Sequence, residues 1–528
     1  MWRKGWREQT ILQVDQPWDL IIIGGGITGA GVLFQAAAAG LKALLVESGD
    51  FSSGTSSRSS KLIHGGLRYI LNKQYKVTHE SVREREWLLK EARNLVTKLG
   101  FIFPNFERYH VKTNQIGHII AIYDLLAPKW DHRAYSREKI LKEYPILRSE
   151  GMLGGYLYYD AAMDDSRIVL RVLKEAVRNG GSAINYMKVE KLLLDSSGQV
   201  RGVALRDTAL PDGRTFEINA SAFVNASGPW ADQLRGQVGQ SARLRRLRGS
   251  HLIFQREKLP MRDALTLLHP KDNRAMFVIP WEGTTMIGTT DIDHDPALDA
   301  NHSEPFASQD EISYILDAAA FLFPGLGLTR SDVISSFSGL RPIIKGGADT
   351  PGKESRAHAL WEENGLITIT GGKYTTFRIM SRQTLAAVLK KLGKLPVVKN
   401  KRIFPKLPSV SAPNIDSATL AHLLGRYGND TAELIKTAGA GELERIGSLP
   451  NVWAELRWAA RAEGVVHLSD LLLRRVRIGM LLPGGAEDQL ARVRKAVQAE
   501  LGWSDDKWQD EIIAYINTWR KYYSPNPA

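Results

Sequence analysis

Cysteine is absent from the 528 residues, which excludes disulfide scaffolds, thiolate metal sites and cysteine nucleophiles together. Any redox chemistry must then be carried by a bound cofactor. A clean membrane-spanning run is also missing. Leu20 to Leu41 is uncharged for 22 residues, but it holds six glycines and opens with the β-branched triplet Ile21-Ile22-Ile23. That pattern is a strand followed by a turn, and it points to a buried strand and helix rather than a span. The start, MWRKGWREQTILQVDQ, lacks an apolar core and a small-residue cleavage site, so no signal peptide is expected. With 43% apolar and 24% charged residues the chain is neither disordered nor fibrous. Its length suggests roughly two to four domains. What it has in excess is positive charge: the net charge of +13 favours an anionic partner, whether nucleic acid, an anionic lipid surface or a phosphorylated substrate.

Asp19 to Glu47 reads as strand, glycine turn, alanine-rich helix and strand, a right-handed βαβ unit with Gly40 as the helix stop. Further strands ending in glycine turns recur in AFVNASGPWAD (Ala222 to Asp232) and LITITGGKYTTFRIM (Leu366 to Met380), so distant segments are expected to converge on one nucleotide fold. Between them, LRGSHLIFQ from Leu247 and AMFVIPWEGTTMIGTTD from Ala275 read as antiparallel sheet, with Glu282-Gly283 as a hairpin turn. Pro396, Pro405, Pro408 and Pro413 mark a linker over 395–413. Beyond it the apolar spacing is helical: Leu420, Leu423, Leu424 and Tyr427, then Trp508, Ile512, Ile513, Ile516 and Trp519.

Gly24, Gly26 and Gly29 form G-x-G-x-x-G. The first permits a tight turn, the second lets backbone approach a pyrophosphate, and the third lets helix pack on strand, with the helix N-terminus offering N–H groups to the phosphates. Glu47, 18 positions after Gly29, ends the second strand where a carboxylate accepts from a ribose 2′-OH. These features fit NAD and FAD alike. The stretch SSRSSKLIHGGLRYI, Ser56 to Ile70, favours FAD, because a flavin held along its whole length needs extra backbone and hydroxyl donors so soon after the second strand.

The motifs SSKLIHGGLRY, FVNASGPWAD, GSHLIF, FVIPWEGTTMIGTTD, SGLRPI, TGGKYTTFR and DLLLRRVRIGML, in this order, closely resemble the FAD-dependent, membrane-associated aerobic glycerol-3-phosphate dehydrogenases from about Trp18 to the C-terminal helices. The resemblance implies an α/β fold: a Rossmann-like FAD-binding domain of the glutathione-reductase type, interwoven over 18–394 with an antiparallel substrate sheet (mainly 85–160 and 240–345). A helical domain follows over 414–528, and residues 1–17 form an N-terminal arm. It also implies oxidation of sn-glycerol 3-phosphate to dihydroxyacetone phosphate, with electrons passed to quinone. The expected flavin contacts are Gly24, Gly26, Gly29 and Glu47, then Ser59, Ser60, Lys61, Leu62, His64, Gly65 and Gly66, then Ser227 and Gly228, and finally Gly371, Gly372, Lys373 and Thr375.

Oxidising a secondary alcohol by hydride transfer needs an acceptor, removal of the hydroxyl proton and stabilisation of developing negative charge, and a phosphate dianion adds roughly two cationic partners. By resemblance, Arg68, Tyr69, Arg341 and Lys373 map to the substrate pocket and His251 to the base or hydroxyl partner; the division of roles among His251, Arg341 and Lys373 stays open. An imidazole accepts a proton at neutral pH. His64 is read as a cofactor-side residue outside the chemistry. Arg243, Arg245, Arg246 and Arg248 are read as the solvated face of a strand in preference to a funnel for anionic substrate, and Asp291, Asp293, His294 and Asp295, a metal cluster by composition, as a solvated turn at the end of the hairpin, so no metal is expected.

A quinone acceptor would place the protein on the cytoplasmic face of the membrane, held peripherally by anionic lipid. Trp2, Arg3, Lys4, Trp6 and Arg7 suit such contact, and a disordered arm explains them equally well. The alternative acceptor is oxygen, in a glycerol-3-phosphate oxidase, although the insertion typical of that branch is not seen. A flavin-containing nucleic-acid binder is supported by charge alone, and no nucleic acid is expected as a partner. The oligomeric state stays open, a homodimer being admissible.

Overall fold

In a computed structural model, residues 2–66, 75–110, 113–126, 131–210, 212–301, 304–346, 357–398 and 401–526 are described. The apolar strand Trp18–Ile23 lies at the centre of a parallel sheet, with Leu20 facing Ala43 on one side and Ala222 on the other. The order runs Ser182–Ile184, Ala43–Val46, Trp18–Ile23, Thr215–Asn225, Leu366–Gly371, and then His358–Glu363, which pairs antiparallel at the edge. Burial on both faces explains the near-continuous apolar runs in these strands. The expected βαβ unit is present, and the three glycine turns meet at one end of the sheet, where ligands bind in such folds.

The helix Ile27–Ala38 packs against Asp165–Arg178 and Phe377–Lys391. Small residues allow this: a Cβ on Gly31 would stand 3.0 Å from the Cβ of Ser381.

The second sheet has ten strands and is mostly antiparallel. Its long pair is Leu244–Gln255 with Val333–Ile344, which sets His251 opposite Phe337 and Leu247 opposite Arg341. Ala275–Trp281 and Thr284–Gly288 form the expected hairpin, and Glu282 (φ 46°) and Gly283 (φ 79°) both take the left-handed conformation that such a two-residue turn requires. Leu62–Ile63 pairs with Met152–Met163, so the Ser56–Gly66 segment passes physically from the nucleotide layer into the second sheet.

The C-terminal helices, among them Ser417–Tyr427, Trp453–Ala462, Leu490–Leu501 and Asp505–Tyr522, do not pack only on one another. Leu472, Met480 and Tyr515 share one core with Trp281, Ile334 and Phe337 of the antiparallel sheet. Trp508 and Trp519 are buried as their spacing implies, whereas Ile513 points to solvent at 59% exposure. Within the linker, Ile403 and Phe404 are buried against the nucleotide-domain core.

The N-terminal arm departs from both readings made of it. Trp2 is 5% exposed and stacks on Phe51 at 4.9 Å, with Trp6 tilted against it at 5.8 Å. Arg7 grips Asp207 through two bonds of 2.7 and 2.8 Å, and Trp6–Ile11 is helical. Burial of the Trp2 ring on Phe51 takes it out of water inside the protein, and the sequence cannot display Phe51 as that partner. Trp2→Ala is therefore expected to lower unfolding stability by about 3 kcal/mol, measured by denaturant titration; an unchanged midpoint would show that the contact carries no weight.

Candidate functional site

Where Trp18–Ile23 ends, Gly24 adopts φ 115°, and a Cβ there would lie 2.6 Å from the Ala226 carbonyl oxygen of the neighbouring strand end. Gly29 is equally constrained, since its Cβ would fall 1.9 Å from the Gly24 carbonyl oxygen. Gly26 is the N-cap of Ile27–Ala38 and makes no side-chain cap bond; Ser56 Oγ accepts from the Ile27 N–H at 2.9 Å instead. Glu47 accepts from the Gly25 N–H at 2.6 Å and the Gly49 N–H at 2.9 Å. Burial raises its carboxyl above the ordinary value, and those N–H groups pull the other way.

The serine-rich segment runs along one cavity of about 1420 Å³, lined by Ser56, Ser59, Ser60, Leu62, His64 and Gly66. Gly24, Gly26, Glu47, Ser227, Gly228, Gly371, Gly372, Lys373 and Thr375 line the same cavity. Gly65 stands behind it, its N–H bonded to Tyr123 Oη at 2.8 Å, where a Cβ would collide with that hydroxyl at 2.4 Å.

Lys61 corrects the sequence reading. Its side chain is fully buried away from the cavity, with Nζ 2.9 Å from Asp165 and 2.5 Å from the Ser57 carbonyl oxygen, above the rings of Phe337 and Trp281. It is an internal strut, not a cofactor contact. Burial drives its ammonium down to about 7, a fall that Asp165 only partly offsets and Arg477 reinforces. Arg68 and Tyr69 lie outside the described residues.

On the antiparallel-sheet side of the cavity His251 stacks on Phe337 with ring centroids 4.7 Å apart, and its Nε2 meets Ser60 Oγ at 2.9 Å. Its Nδ1 is buried with no hydrogen-bond partner among the described residues. Gly288 makes room for the ring, since a Cβ there would touch Cδ2 at 2.3 Å. Burial first, then the charges of Arg341 and Lys61, hold this imidazole well below its ordinary value, so it is neutral at pH 7. Arg341 donates to Asp291 Oδ1 at 2.8 Å and Thr289 Oγ1 at 2.9 Å. Lys373 donates to Ser81 Oγ at 2.8 Å and to the Gly65 carbonyl oxygen at 3.2 Å.

Two further readings are corrected. Asp291 is no solvated turn residue: it is buried between Arg341 and Arg274, the latter at 2.9 Å, and His294 is likewise buried on Asp299. The basic strand is a solvated face at Arg243 but not at Arg248. Arg245 pairs with Asp293, Arg246 with Asp299 and Arg243 with Glu363, while Arg248 is buried on Glu311 at 2.9 Å and lines the cavity. No acidic, histidine or cysteine cluster that could hold a metal occurs among the described residues. Arg274, Asp291 and Arg58 are cavity residues that sequence reasoning missed. Only the register of the second sheet brings Arg274 and Asp291 together.

Residues 19–378 match the family described as FAD dependent oxidoreductase, and residues 367–508 match the C-terminal domain of alpha-glycerophosphate oxidase. The aerobic glycerol-3-phosphate dehydrogenase of Staphylococcus saprophyticus is 33% identical over 491 residues, 87% of each chain. This chain belongs to the aerobic glycerol-3-phosphate dehydrogenase family. The Staphylococcus aureus member is 32% identical over 488 residues, 87% of this chain and 86% of its own. Among solved structures, the glycerol-3-phosphate dehydrogenase from Bacillus halodurans complexed with FAD superposes with a TM-score of 0.77 at 29% identity over 98% of both chains. The FAD-bound L-alpha-glycerophosphate oxidase of Mycoplasma pneumoniae, at 17% identity and TM-score 0.58, covers 75% of this chain and all of its own and shares the fold.

FAD is the cofactor of this glycerol-3-phosphate dehydrogenase family, and the residues present fit it. A Cβ on Gly26 would press on Ser56 Oγ at 3.0 Å, at the mouth of a twelve-residue helix whose N-terminus has no side-chain cap from its own N-cap residue. The cavity is larger than the roughly 300–1,000 Å³ usual for one small ligand, room for a dinucleotide and a small substrate together.

The neutral state of His251 has a consequence for stability. Below its unfolded-state pKa of about 6.5 the unfolded chain takes up a proton that the native protein refuses, so this residue weakens the fold as pH falls. His251→Asn is expected to show a shallower loss of stability between pH 6.5 and 5 than the parent, followed by denaturant midpoints; parallel profiles would mean that His251 does not titrate on unfolding.

Proposed function

We propose that this chain oxidises sn-glycerol 3-phosphate to dihydroxyacetone phosphate and passes the electrons to a membrane quinone. The observation that carries the reading is one cavity lined both by the glycine cradle of the nucleotide layer and by His251, Arg274, Arg341 and Lys373, in a member of this family. FAD, when bound, supplies the hydride acceptor.

The chain's own residues do the rest. Arg341 and Arg274 take the phosphate dianion, their guanidinium groups held from behind by the buried Asp291. His251 receives the substrate hydroxyl proton at Nε2, the nitrogen that Ser60 Oγ marks in the absence of substrate. Its neutrality fits a proton acceptor. Lys373, fixed on Ser81 and Gly65, brings positive charge to the oxygen from which that proton leaves. Walls formed by Leu62, Phe277 and Tyr158 limit water around the reacting carbon.

Anaerobic mixing with sn-glycerol 3-phosphate is expected to bleach the flavin absorbance, and Arg341→Ala to raise KM about 30-fold or more, equivalent to about 2 kcal/mol, while retaining its flavin. An unbleached flavin would overturn the substrate assignment, and an unchanged KM would remove Arg341 from phosphate binding. Stoichiometric peroxide undiminished by added quinone would make oxygen the acceptor.

A lipid-dissolved acceptor requires the protein to meet the membrane surface. No helix among the described residues is long and apolar enough to cross a bilayer. With Trp2 engaged inside the protein, attachment falls to the charge excess of +13, each basic residue near anionic lipid being worth about 1 kcal/mol. Co-sedimentation with phosphatidylserine vesicles is therefore expected at low salt and release at high salt; salt-independent behaviour would count against electrostatic attachment.

A further inference from the structure

The stretch from Asp50 to Leu62 lines the flavin cavity with Ser53, Gly54, Thr55, Ser56, Arg58, Ser59 and Ser60, yet has almost no regular structure of its own, only the single turn Thr55–Ser57 before the short strand Leu62–Ile63. Such a segment is ordinarily mobile. Here it is fastened at three points from residues beyond position 470. Arg475 forms a fork on Asp50, with bonds of 2.6 and 2.7 Å, and Arg474 Nε takes the same carboxylate at 2.5 Å. Arg477 donates to the Ser57 carbonyl oxygen at 3.2 Å and to Asp165, the carboxylate that also accepts from the Ser59 N–H at 3.0 Å, Ser59 Oγ at 2.7 Å and Lys61 Nζ at 2.9 Å. Tyr523 Oη, near the end of the chain, accepts from Arg58 Nη2 at 2.7 Å.

We propose that the C-terminal helical domain is a clamp on the flavin-binding loop, with Arg475, Arg477 and Tyr523 as positioning residues for the cofactor.

Physical economy argues for this role. Buried ion pairs contribute little net stability compared with apolar packing of the same volume, but they fix geometry and are strongly disrupted when one partner is lost. Asp50, Arg475 and Arg477 are essentially inaccessible, and a domain that only needed to adhere to the sheet already has Leu472, Met480 and Tyr515 to do so. The backbone also departs from standard geometry at this point. Leu471–Arg475 is a π-helical turn, and Arg477 is a non-glycine residue at φ 65°, a conformation that persists where the surroundings impose it. The outcome is that three arginines within four residues reach two anchor points, Arg474 and Arg475 together on Asp50 and Arg477 on Ser57 and Asp165. Burial alone would raise the Asp50 carboxyl, but the charges of Arg475 and Arg474 overcome that and hold it at about 2, so the fastening is ionised at every pH at which the protein would work. The inference concerns FAD retention and is independent of which alcohol is oxidised.

The test uses full-length protein stripped of flavin and titrated with FAD, followed by fluorescence quenching, with hydrogen exchange of residues 50–62 as a second readout. Arg475→Lys keeps the charge and loses the fork; Tyr523→Phe loses one hydroxyl. Arg457→Ala is the control, because Arg457 pairs with Glu442 and Glu500 inside the C-terminal domain. Arg475→Lys is expected to weaken FAD binding about tenfold or more and Tyr523→Phe about threefold or more, both with faster exchange over 50–62, while Arg457→Ala shifts the melting temperature and leaves the FAD Kd unchanged. Parent-like Kd and exchange in both loop-facing variants would overturn the clamp, as would an equal loss of affinity in Arg457→Ala. Should Arg475→Lys not fold, Tyr523→Phe decides alone.

Discussion

Two serine hydroxyls four residues apart reach the two layers that share the cavity, and the rest of the site depends on that short span. Ser56 Oγ holds the first N–H of the dinucleotide-type helix; Ser60 Oγ holds His251 on the antiparallel sheet. Between them Ser59 is tied to Asp165, and Leu62 then enters the second sheet against Ala162. One short run of backbone therefore sets the distance from the glycine cradle to the sheet that carries the imidazole. Hydride transfer is steeply sensitive to placement, with large effective-concentration gains when reacting groups are held in line. A connection this short keeps the two layers from drifting independently.

Charge is arranged by the same economy. The chain carries an excess of +13, yet the arginines around the cavity are each matched to a carboxylate: Arg341 and Arg274 to Asp291, Arg248 to Glu311, Arg58 to Glu304. Pairing holds guanidinium groups in fixed directions that solvated side chains would not keep. Asp291 serves two cations with one carboxylate, so an arriving dianion meets net positive charge without the cost of burying an unpaired arginine.

The parts of this arrangement that were legible in sequence are those encoded locally. The βαβ unit follows from a β-branched triplet, a glycine turn and a small-residue helix within thirty residues, and the hairpin at Glu282-Gly283 from two residues able to hold positive φ. Gly24, Gly26, Glu47, Ser60, His251, Arg341 and Lys373 all fall on the one cavity. What was misread shares one physical cause: a charged or aromatic residue looks solvated when its partner is far away along the chain. Lys61 and Asp165 are 104 positions apart, Arg7 and Asp207 are 200 apart, and Asp50 and Arg475 are 425 apart. Spacing rules carry no information across such distances. The reading of the basic strand failed at Arg248 for the same reason, since Arg248 meets Glu311 only after the helix Gln309–Leu322 folds back over the sheet.

The position of His251 between Lys61 and Arg341 gives the proposed chemistry an internal logic. Burial makes a protonated imidazole unfavourable, and the charges of Arg341 and then Lys61 add to the effect, so the ring is neutral before substrate arrives. A phosphate dianion on Arg341 cancels part of that field. The proton affinity of His251 must then rise on substrate binding, because the charge that suppressed it has acquired a counter-ion. Proton acceptance is thereby coupled to occupancy by an anion: a neutral alcohol lacking phosphate would meet the same imidazole with its affinity still suppressed. Lys61, buried on Asp165, has no direct contact with the cavity and is not the cation that a ligand neutralises. On this reading the paired cations that recognise the substrate also select when the base can act, which is an economical reason for placing a histidine in so positive a neighbourhood.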